Sequence, residues 1–342
     1  MFEEVENAGS EISYRCNKCR SCKVCKEHDL TEIMSIKEEV EQDAINRSVK
    51  VDIENRKTTA LLPLMSNPAV KLAPNKDRAL KTYNQQVKKL NQNPQDKRDV
   101  IESEAKLQQL GHVEFVKNLA IEQQEMLRNN PIQNYIPWRA VWNRNSISTP
   151  CRIVFDASQP TSSGLSLNDI LAKGKNNMNK LVETVIRWSS HKTAFHSDIK
   201  KMYNSVQLSE QHWCLQRYIW QNELEKGKLP EEKIIKTLIY GIRSSGNQSE
   251  RGLRQTANLS AAEYPEINQI VQQDIYVDDC LSGEESMKKA MLRADQLELV
   301  LNRGGFSLKG VTFSGKDPPS TLSKDEASIY VAGMKWLPKD DL

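Results

Sequence analysis

Asp274-Ile275-Tyr276-Val277-Asp278-Asp279-Cys280-Leu281-Ser282-Gly283 sets two adjacent carboxylates inside a short apolar stretch. Burying neighbouring like charges is expensive, and without cations or hydrogen-bond donors close by such carboxyls take up protons and neutralise. Successive side chains of a strand point to opposite faces, so both acids can reach one site only from a hairpin turn. The stretch therefore predicts a β-hairpin with an acid pair at its tip. Ordinary surface β-turns carry similar short sequences, and these residues alone do not separate the two readings.

A second acid lies upstream in Phe195-His196-Ser197-Asp198-Ile199-Lys200-Lys201-Met202-Tyr203, where an apolar β-like run ends on Asp198 and passes into a turn carrying an aromatic. Taken alone, Asp198 also fits a helix N-cap. One acid at a strand end and a later acid pair in a hairpin together supply three oxygen ligands. That set can hold two Mg²⁺ ions roughly 3.5 to 4 Å apart, the minimum equipment for phosphoryl transfer.

The surrounding sequence alternates short β-rich runs (Arg139–Trp142, Cys151–Phe155, Thr193–His196, His212–Trp220, Lys233–Ile239) with helical patterns at Asn177–Trp188, Gln248–Leu259 and Glu284–Asn302. Upstream, Leu30–Val49 has apolar residues at helical spacing, and Val49–Ile53 and Thr58–Leu64 flank the polar turn Glu54-Asn55-Arg56-Lys57 as a hairpin. Two polar helices follow, around Asp77–Leu90 and Lys97–Leu110, broken at Asn91–Gln95 and stopped by Gly111. Strands in ones and twos interleaved with helices predict an α+β layered fold and not a doubly wound sheet.

The 342 residues exceed one typical domain, and 27 % charged residues with a net charge of +3 fit a soluble protein that can meet a polyanion without being built for one by charge alone. No apolar run reaches the length of a membrane span and the first residues lack a signal-peptide pattern, which predicts no membrane partner and an intracellular setting, a cytoplasmic particle or the nucleus. Seven cysteines, an odd number, fit a reducing compartment better than a disulfide framework.

The order Arg152-Ile153-Val154-Phe155-Asp156-Ala157-Ser158, then Gly164-Leu165-Ser166-Leu167-Asn168-Asp169-Ile170-Leu171, then the two acid motifs, resembles the reverse transcriptase of BEL/Pao LTR retrotransposons, from about Gly111 to Trp336. The resemblance implies an RNA-directed DNA polymerase, a nucleotidyltransferase using an RNA or DNA template with primer, dNTPs and two Mg²⁺ ions. It implies a right-hand α+β fold, with fingers and the start of the palm at 111–197, a palm with an antiparallel sheet packed on helices at 198–315, and a truncated region at 316–342; ahead of these the residues themselves read as a Cys-rich segment at 1–30 and a mostly helical linker with a hairpin at 31–110. The alternative is an inactive or domesticated relative that only binds nucleic acid. The lack of RNase H, integrase and aspartic-protease signatures makes the chain read as a fragment of a transposable-element polyprotein.

Under the same resemblance, Asp198, Asp278 and Asp279 are the catalytic metal-binding acids, joined by the backbone carbonyl of Ile199. Tyr203 matches an aromatic that rejects a ribose 2′-hydroxyl; by itself it is equally a core tyrosine. Arg152 matches an arginine that clamps the triphosphate, a task suited to a planar multidonor guanidinium, and alone it also fits a strand-edge ion pair. Asp156 would contact the nucleotide or brace the fingers. Tyr240-Gly241-Ile242-Arg243-Ser244-Ser245-Gly246-Asn247-Gln248 resembles the loop and helix start that hold template and nucleotide, though a capped glycine turn reads the same way. Lys309, after Gly304-Gly305-Phe306, is a weaker phosphate-side candidate.

One position departs from the pattern, and an N-terminal cysteine cluster stands outside it. Where the family carries a lysine after the strand, this chain has Asn143, with Arg144 alongside. At the N-terminus, Cys16, Cys19, Cys22 and Cys25 with His28 form a soft ligand set suited to Zn²⁺, but the uninterrupted triplet spacing is tight for one tetrahedral ion. A zinc knuckle flanked by Arg15, Lys18, Arg20, Lys23 and Lys26, and a reduced segment without metal, both remain open.

Overall fold

Thr193-Ala194-Phe195-His196-Ser197-Asp198 forms a strand whose first five residues are all buried, because the sheet around it is covered on both faces. The computed structural model describes residues 2–6, 12–16, 35–143, 151–316 and 329–341, the first two segments by their backbone. In chain order the described elements begin with β1 (Phe2–Glu6) and β2 (Ile12–Cys16), then α1 (Ile36–Ser48), β3 (Val49–Asp52), β4 (Lys57–Ala60) and the one-turn α2 (Pro68–Lys71). Next come α3 (Lys76–Leu90), α4 (Pro94–Gln109), β5 (Val113–Phe115), α5 (Ile121–Asn129), β6 (Trp138–Trp142) and β7 (Cys151–Phe155). The second half holds α6 (Leu181–Ser189), β8 (Thr193–Asp198), β9 (Val206–Leu208), β10 (Arg217–Trp220), β11 (Glu231–Ile235), α7 (Ser245–Leu259) and α8 (Pro265–Gln273). It closes with β12 (Ile275–Tyr276), β13 (Asp279–Glu284), α9 (Met287–Arg303), β14 (Thr312–Phe313), β15 (Ile329–Val331) and β16 (Met334–Trp336).

The fold is mixed α+β, built from small sheets: an antiparallel β12-β13-β8-β14, an antiparallel β10-β11-β5, a β3-β4-β9 sheet in which β4 and β9 run parallel, and two-stranded ribbons. In the four-stranded sheet, Phe195, Ser197, Cys280 and Ser282 share the face toward the main core, with Phe195 and Phe313 ring centroids 6.1 Å apart. The opposite face carries Ala194, His196, Asp198, Asp279 and Leu281. Ala194 and Leu281 pack there with Trp188 of α6 and with Ile329, Val331 and Trp336 of the β15–β16 hairpin, a separate small apolar cluster.

Local chemistry explains the element boundaries. Ser35 and Glu38 form a reciprocal capping box, so α1 starts at Ile36. Asn93 caps α4 through its side chain and Pro94 occupies the first helical position, which starts the helix three residues before the expected Lys97. Gly111 adopts φ +72 and ends the segment, as expected. The run expected as a strand over His212–Trp220 begins instead as a 3₁₀ turn (Glu210–Leu215): Trp213 turns inward and its indole donates to the Leu208 carbonyl at 3.1 Å, leaving only β10 in the sheet. The expected strand Lys233–Ile239 is β11, shifted to Glu231–Ile235, and the helix expected from Asn177 starts at Leu181. Among the described residues no helix is long and apolar enough to cross a membrane.

Helix α7 can lie close to the sheets because small residues line its buried side. A Cβ on Gly252 would stand 2.9 Å from the Thr58 methyl, and the Gly304 carbonyl accepts a 2.7 Å hydrogen bond from Thr58. This packing brings the N-terminal end of α7 beside the acid-bearing edge of the four-stranded sheet.

Candidate active site

β12 and β13 form a hairpin closed by the Tyr276–Asp279 pair, with Val277 and Asp278 as its two loop residues. Val277 has φ +58 while Asp278 stays in the ordinary region, the pattern of a type II′ turn, which normally takes glycine at that first position. A β-branched residue there carries strain on the order of 1–2 kcal/mol, and strain of this kind collects at functional sites. The turn expected from the sequence is thus present with the acid pair at its tip, as the alternation argument required.

Register then brings the third acid in. Asp279 is the cross-strand partner of Asp198 on the same face, and the Ile199 N–H donates to the Asp278 carbonyl at 2.7 Å, fixing the turn against the end of β8. Among the described residues nothing donates a hydrogen bond to the Asp198 carboxylate. Its pKa is pushed up to about 6, by burial first and the Asp278 charge second, with the Lys309 charge opposing. Asp278 is raised as well, by burial and then by Asp279.

Asp279 is held differently from its two neighbours. One of its oxygens lies 2.7 Å from His196 Nε2 and the other accepts the Ala332 N–H at 3.1 Å. No three-ligand metal cluster is preformed among the described residues. Both oxygens of Asp279 are engaged by protein donors. The donor set still fits a hard divalent ion: the Asp198 carboxylate accepts no hydrogen bond among the described residues, Asp278 accepts only a backbone N–H, and each oxygen of Asp279 keeps a second lone pair. The Ile199 carbonyl, at the same strand end, accepts no hydrogen bond among the described residues.

The other sequence candidates gather around the turn. Arg152 is exposed on β7, makes no ion pair among the described residues, and is close enough for its charge to act on Asp278 and Tyr240. Tyr203 and Tyr240 face each other with ring centroids 4.4 Å apart, and Tyr203 lies beneath Gly246, where a Cβ would stand 3.2 Å from its hydroxyl. Tyr203 is therefore a half-buried residue packed at the edge of the core beside the turn. Gly241 adopts φ +105, and a Cβ there would fall 1.9 Å from the Phe155 carbonyl oxygen. Only glycine lets the 240–243 loop lie against the end of β7.

Asp156 accepts the Ser158 N–H at 3.2 Å and so braces the turn after β7. Lys309 donates its backbone N–H to the Asp198 carbonyl at 2.8 Å. Arg144 lies outside the described residues, as do Cys19, Cys22, Cys25 and His28; of that cluster only the backbone of Cys16, ending β2, is described.

Three groups escaped the sequence reading. Asn168 staples the site: its amide donates to the Gly241 carbonyl at 2.8 Å and its oxygen accepts the Arg243 N–H at 2.9 Å. His196 shares a strand face with Asp198 by simple two-residue alternation, a signal that was present. The Ala332 N–H comes from a segment with no sequence mark at all.

A cleft of about 740 Å³ opens beside Val277 and Tyr203, walled by α1, the 173–178 loop and the start of α7. Its lining carries Lys37, Lys173, Lys175, Arg243 and Arg254 against Glu38, Glu41 and Glu250; Glu41 accepts the Lys173 and Gly174 N–H groups, Glu250 pairs with Arg254, and the Arg243 charge acts on Asp169. The uncompensated charge of the cleft is positive. The chain matches no protein-family model and no curated protein.

Proposed function

We propose that this chain is a template-directed DNA polymerase of the reverse-transcriptase type, related to BEL/Pao retrotransposon enzymes, with the four-stranded sheet and its helices as palm and the β6–β7 ribbon with the helices around it as fingers. The observation that carries the reading is the convergence of Asp198, Asp278 and Asp279 at one sheet edge, with the Asp198 carboxylate accepting no hydrogen bond among the described residues and both Asp198 and Asp278 raised by burial and like charge. A structural acid cluster would be neutralised by its neighbours; one left open suits a cationic ligand.

Asp198 and Asp278, with the Ile199 carbonyl and Asp279, would hold the Mg²⁺ ions, which when bound lower the pKa of the primer 3′ hydroxyl and offset charge on the departing pyrophosphate. The chain's own residues do the positioning. Arg152 presents guanidinium donors to the triphosphate across from Asp278. The Tyr203–Tyr240 pair forms an aromatic wall for the sugar and base, and Gly241, held by Asn168, lets the backbone approach the nucleotide. The positive cleft beside the turn suits a polyanionic strand.

Magnesium-dependent primer extension on an RNA template with labelled dNTPs tests this directly, comparing wild type with Asp278→Asn. Synthesis by the wild type and none by the variant is the expected result. Equal silence in both, with primer–template still bound, would leave a nucleic-acid-binding relative without catalysis.

A further inference from the structure

The segment after residue 328 returns to the catalytic edge. β15 and β16 are joined by Ala332 and Gly333 at φ +47 and +83, the two positive-φ positions of a type I′ turn. Trp336 packs on Trp188 with ring centroids 4.7 Å apart, and Ile329 and Val331 fill the same cluster as Leu281, so the hairpin is anchored at its base by apolar contact. At its tip the Ala332 N–H donates to Asp279 Oδ2 at 3.1 Å. Ala332 is a non-glycine residue in the left-handed region, so this conformation needs something to hold it.

The other oxygen of Asp279 meets His196. A carboxylate only accepts, so His196 donates through Nε2–H at 2.7 Å. This is the ring's one polar contact among the described residues: Nδ1 is buried without a partner, and so is the hydroxyl of Thr312, the cross-strand neighbour of His196. A histidine 5 % exposed on a sheet face with half of its hydrogen-bonding capacity unused is costly as mere packing. Its placement makes sense through the group it holds.

We infer that His196 is a positioning residue for Asp279, and that His196, Asp279 and the Ala332 N–H form a latch that fixes the second acid of the pair and ties the β15–β16 hairpin to the active site. The inference rests on the proposed two-metal reading of the acids and names a regulator of their geometry within this chain. Without the imidazole donor, the Asp279 carboxylate loses its fixed orientation, so it no longer presents its free lone pairs in one place and no longer offers the hairpin tip a fixed acceptor.

The test uses the full chain with His196→Leu, His196→Asn and His196→Gln, in which the glutamine amide reaches about as far as Nε2 and the asparagine amide does not. Three quantities are read: Mn²⁺ binding to the chain alone, hydrogen exchange of the peptide spanning 329–336, and kcat and KM for dNTP in primer extension. The expected result is Mn²⁺ binding weakened about tenfold or more in the Leu and Asn variants, the usual scale for removing a hydrogen bond to a metal ligand. Faster hairpin exchange and a lower kcat at unchanged KM should accompany it, with His196→Gln close to wild type in all three. Wild-type Mn²⁺ binding and wild-type hairpin exchange in His196→Asn would overturn the latch, as would equal losses in the Asn and Gln variants. If His196→Leu fails to fold, the Asn and Gln pair decides. A wild type that extends no primer sinks the polymerase reading, while Mn²⁺ binding and exchange still test the latch.

Discussion

Two sheets in this molecule bury charge, and they treat it in opposite ways. In β10-β11-β5, Lys233 is fully buried, and its ammonium sits 2.5 Å from Glu104 and 2.6 Å from Gln108, while the Tyr218 hydroxyl donates to Glu104 at 2.6 Å. Burial holds the Lys233 pKa below its ordinary value and the Glu104 charge pulls it back up; the same carboxylate helps raise Tyr218. Every charge there has a partner inside the protein. At the edge of β12-β13-β8, burial and like charge raise Asp198 and Asp278, and the cations that oppose this, Lys309 at Asp198 and Arg152 at Asp278, make no ion pair with either acid among the described residues. A closed network serves the scaffold; an open one costs stability and persists only where a ligand completes it.

The sharpest way to break this contrast is to remove one charge from each sheet. Asp278→Asn should lower primer extension by about a thousandfold or more, the scale of losing a principal electrostatic group from an active site. The same change should leave the melting temperature unchanged or raised, because a like-charge repulsion disappears. A stability loss instead would mean that the acid edge is scaffold. Glu104→Leu should do the reverse: about 3–5 kcal/mol of stability lost in denaturant titration, since it strands a buried ammonium. Part of that loss should return in the double variant Glu104→Leu, Lys233→Met, which removes both charges.

A pH series sharpens the comparison further. Because burial and the Asp278 charge push the Asp198 pKa up to about 6 in the folded chain, from an ordinary 3.8, the folded state binds its proton more tightly. Its contribution to stability is fully present below about pH 4 and is lost as pH rises toward 6. Metal-free chain should therefore lose this increment between those values, and Mg²⁺ should raise the melting temperature more at pH 7.5 than at pH 5, where protons compete. Carboxyl titration by NMR should also show the Asp198 pKa falling in Asp278→Asn, but only part of the way, because burial is the larger cause. The smallest expected effect is at the turn itself: Val277→Gly should relieve roughly 1 kcal/mol of left-handed strain. A gain in thermal stability paired with looser metal binding would identify that strain as part of how the acid pair is held.

The hairpin with acids at its tip was legible from Asp278 and Asp279 only once Asp198 gave a reason for both acids to reach one site, which period-two alternation allows only from a turn. The α+β class and most of the helices followed from periodicity and from caps such as Gly111. Boundaries slipped where a competing interaction won locally: Pro94 started α4 early, and the inward indole of Trp213 turned a would-be strand into a 3₁₀ turn. His196 could have been paired with Asp198 by strand alternation, but its donation to Asp279 depends on cross-strand register, which pairing with β13 sets.

What the amino-acid order determined by itself, then, was local: which residues turn, which alternate, and which acids must meet if either strand pairs. The tertiary structure alone decided which charges stay open and which are closed. Lys233 and Glu104 are 129 residues apart, and Asp279 and Ala332 are 53 apart. Compensation between such groups is a matter of distance in space after packing, and the Coulomb and desolvation energies that separate scaffold from site depend on that distance and not on separation along the chain.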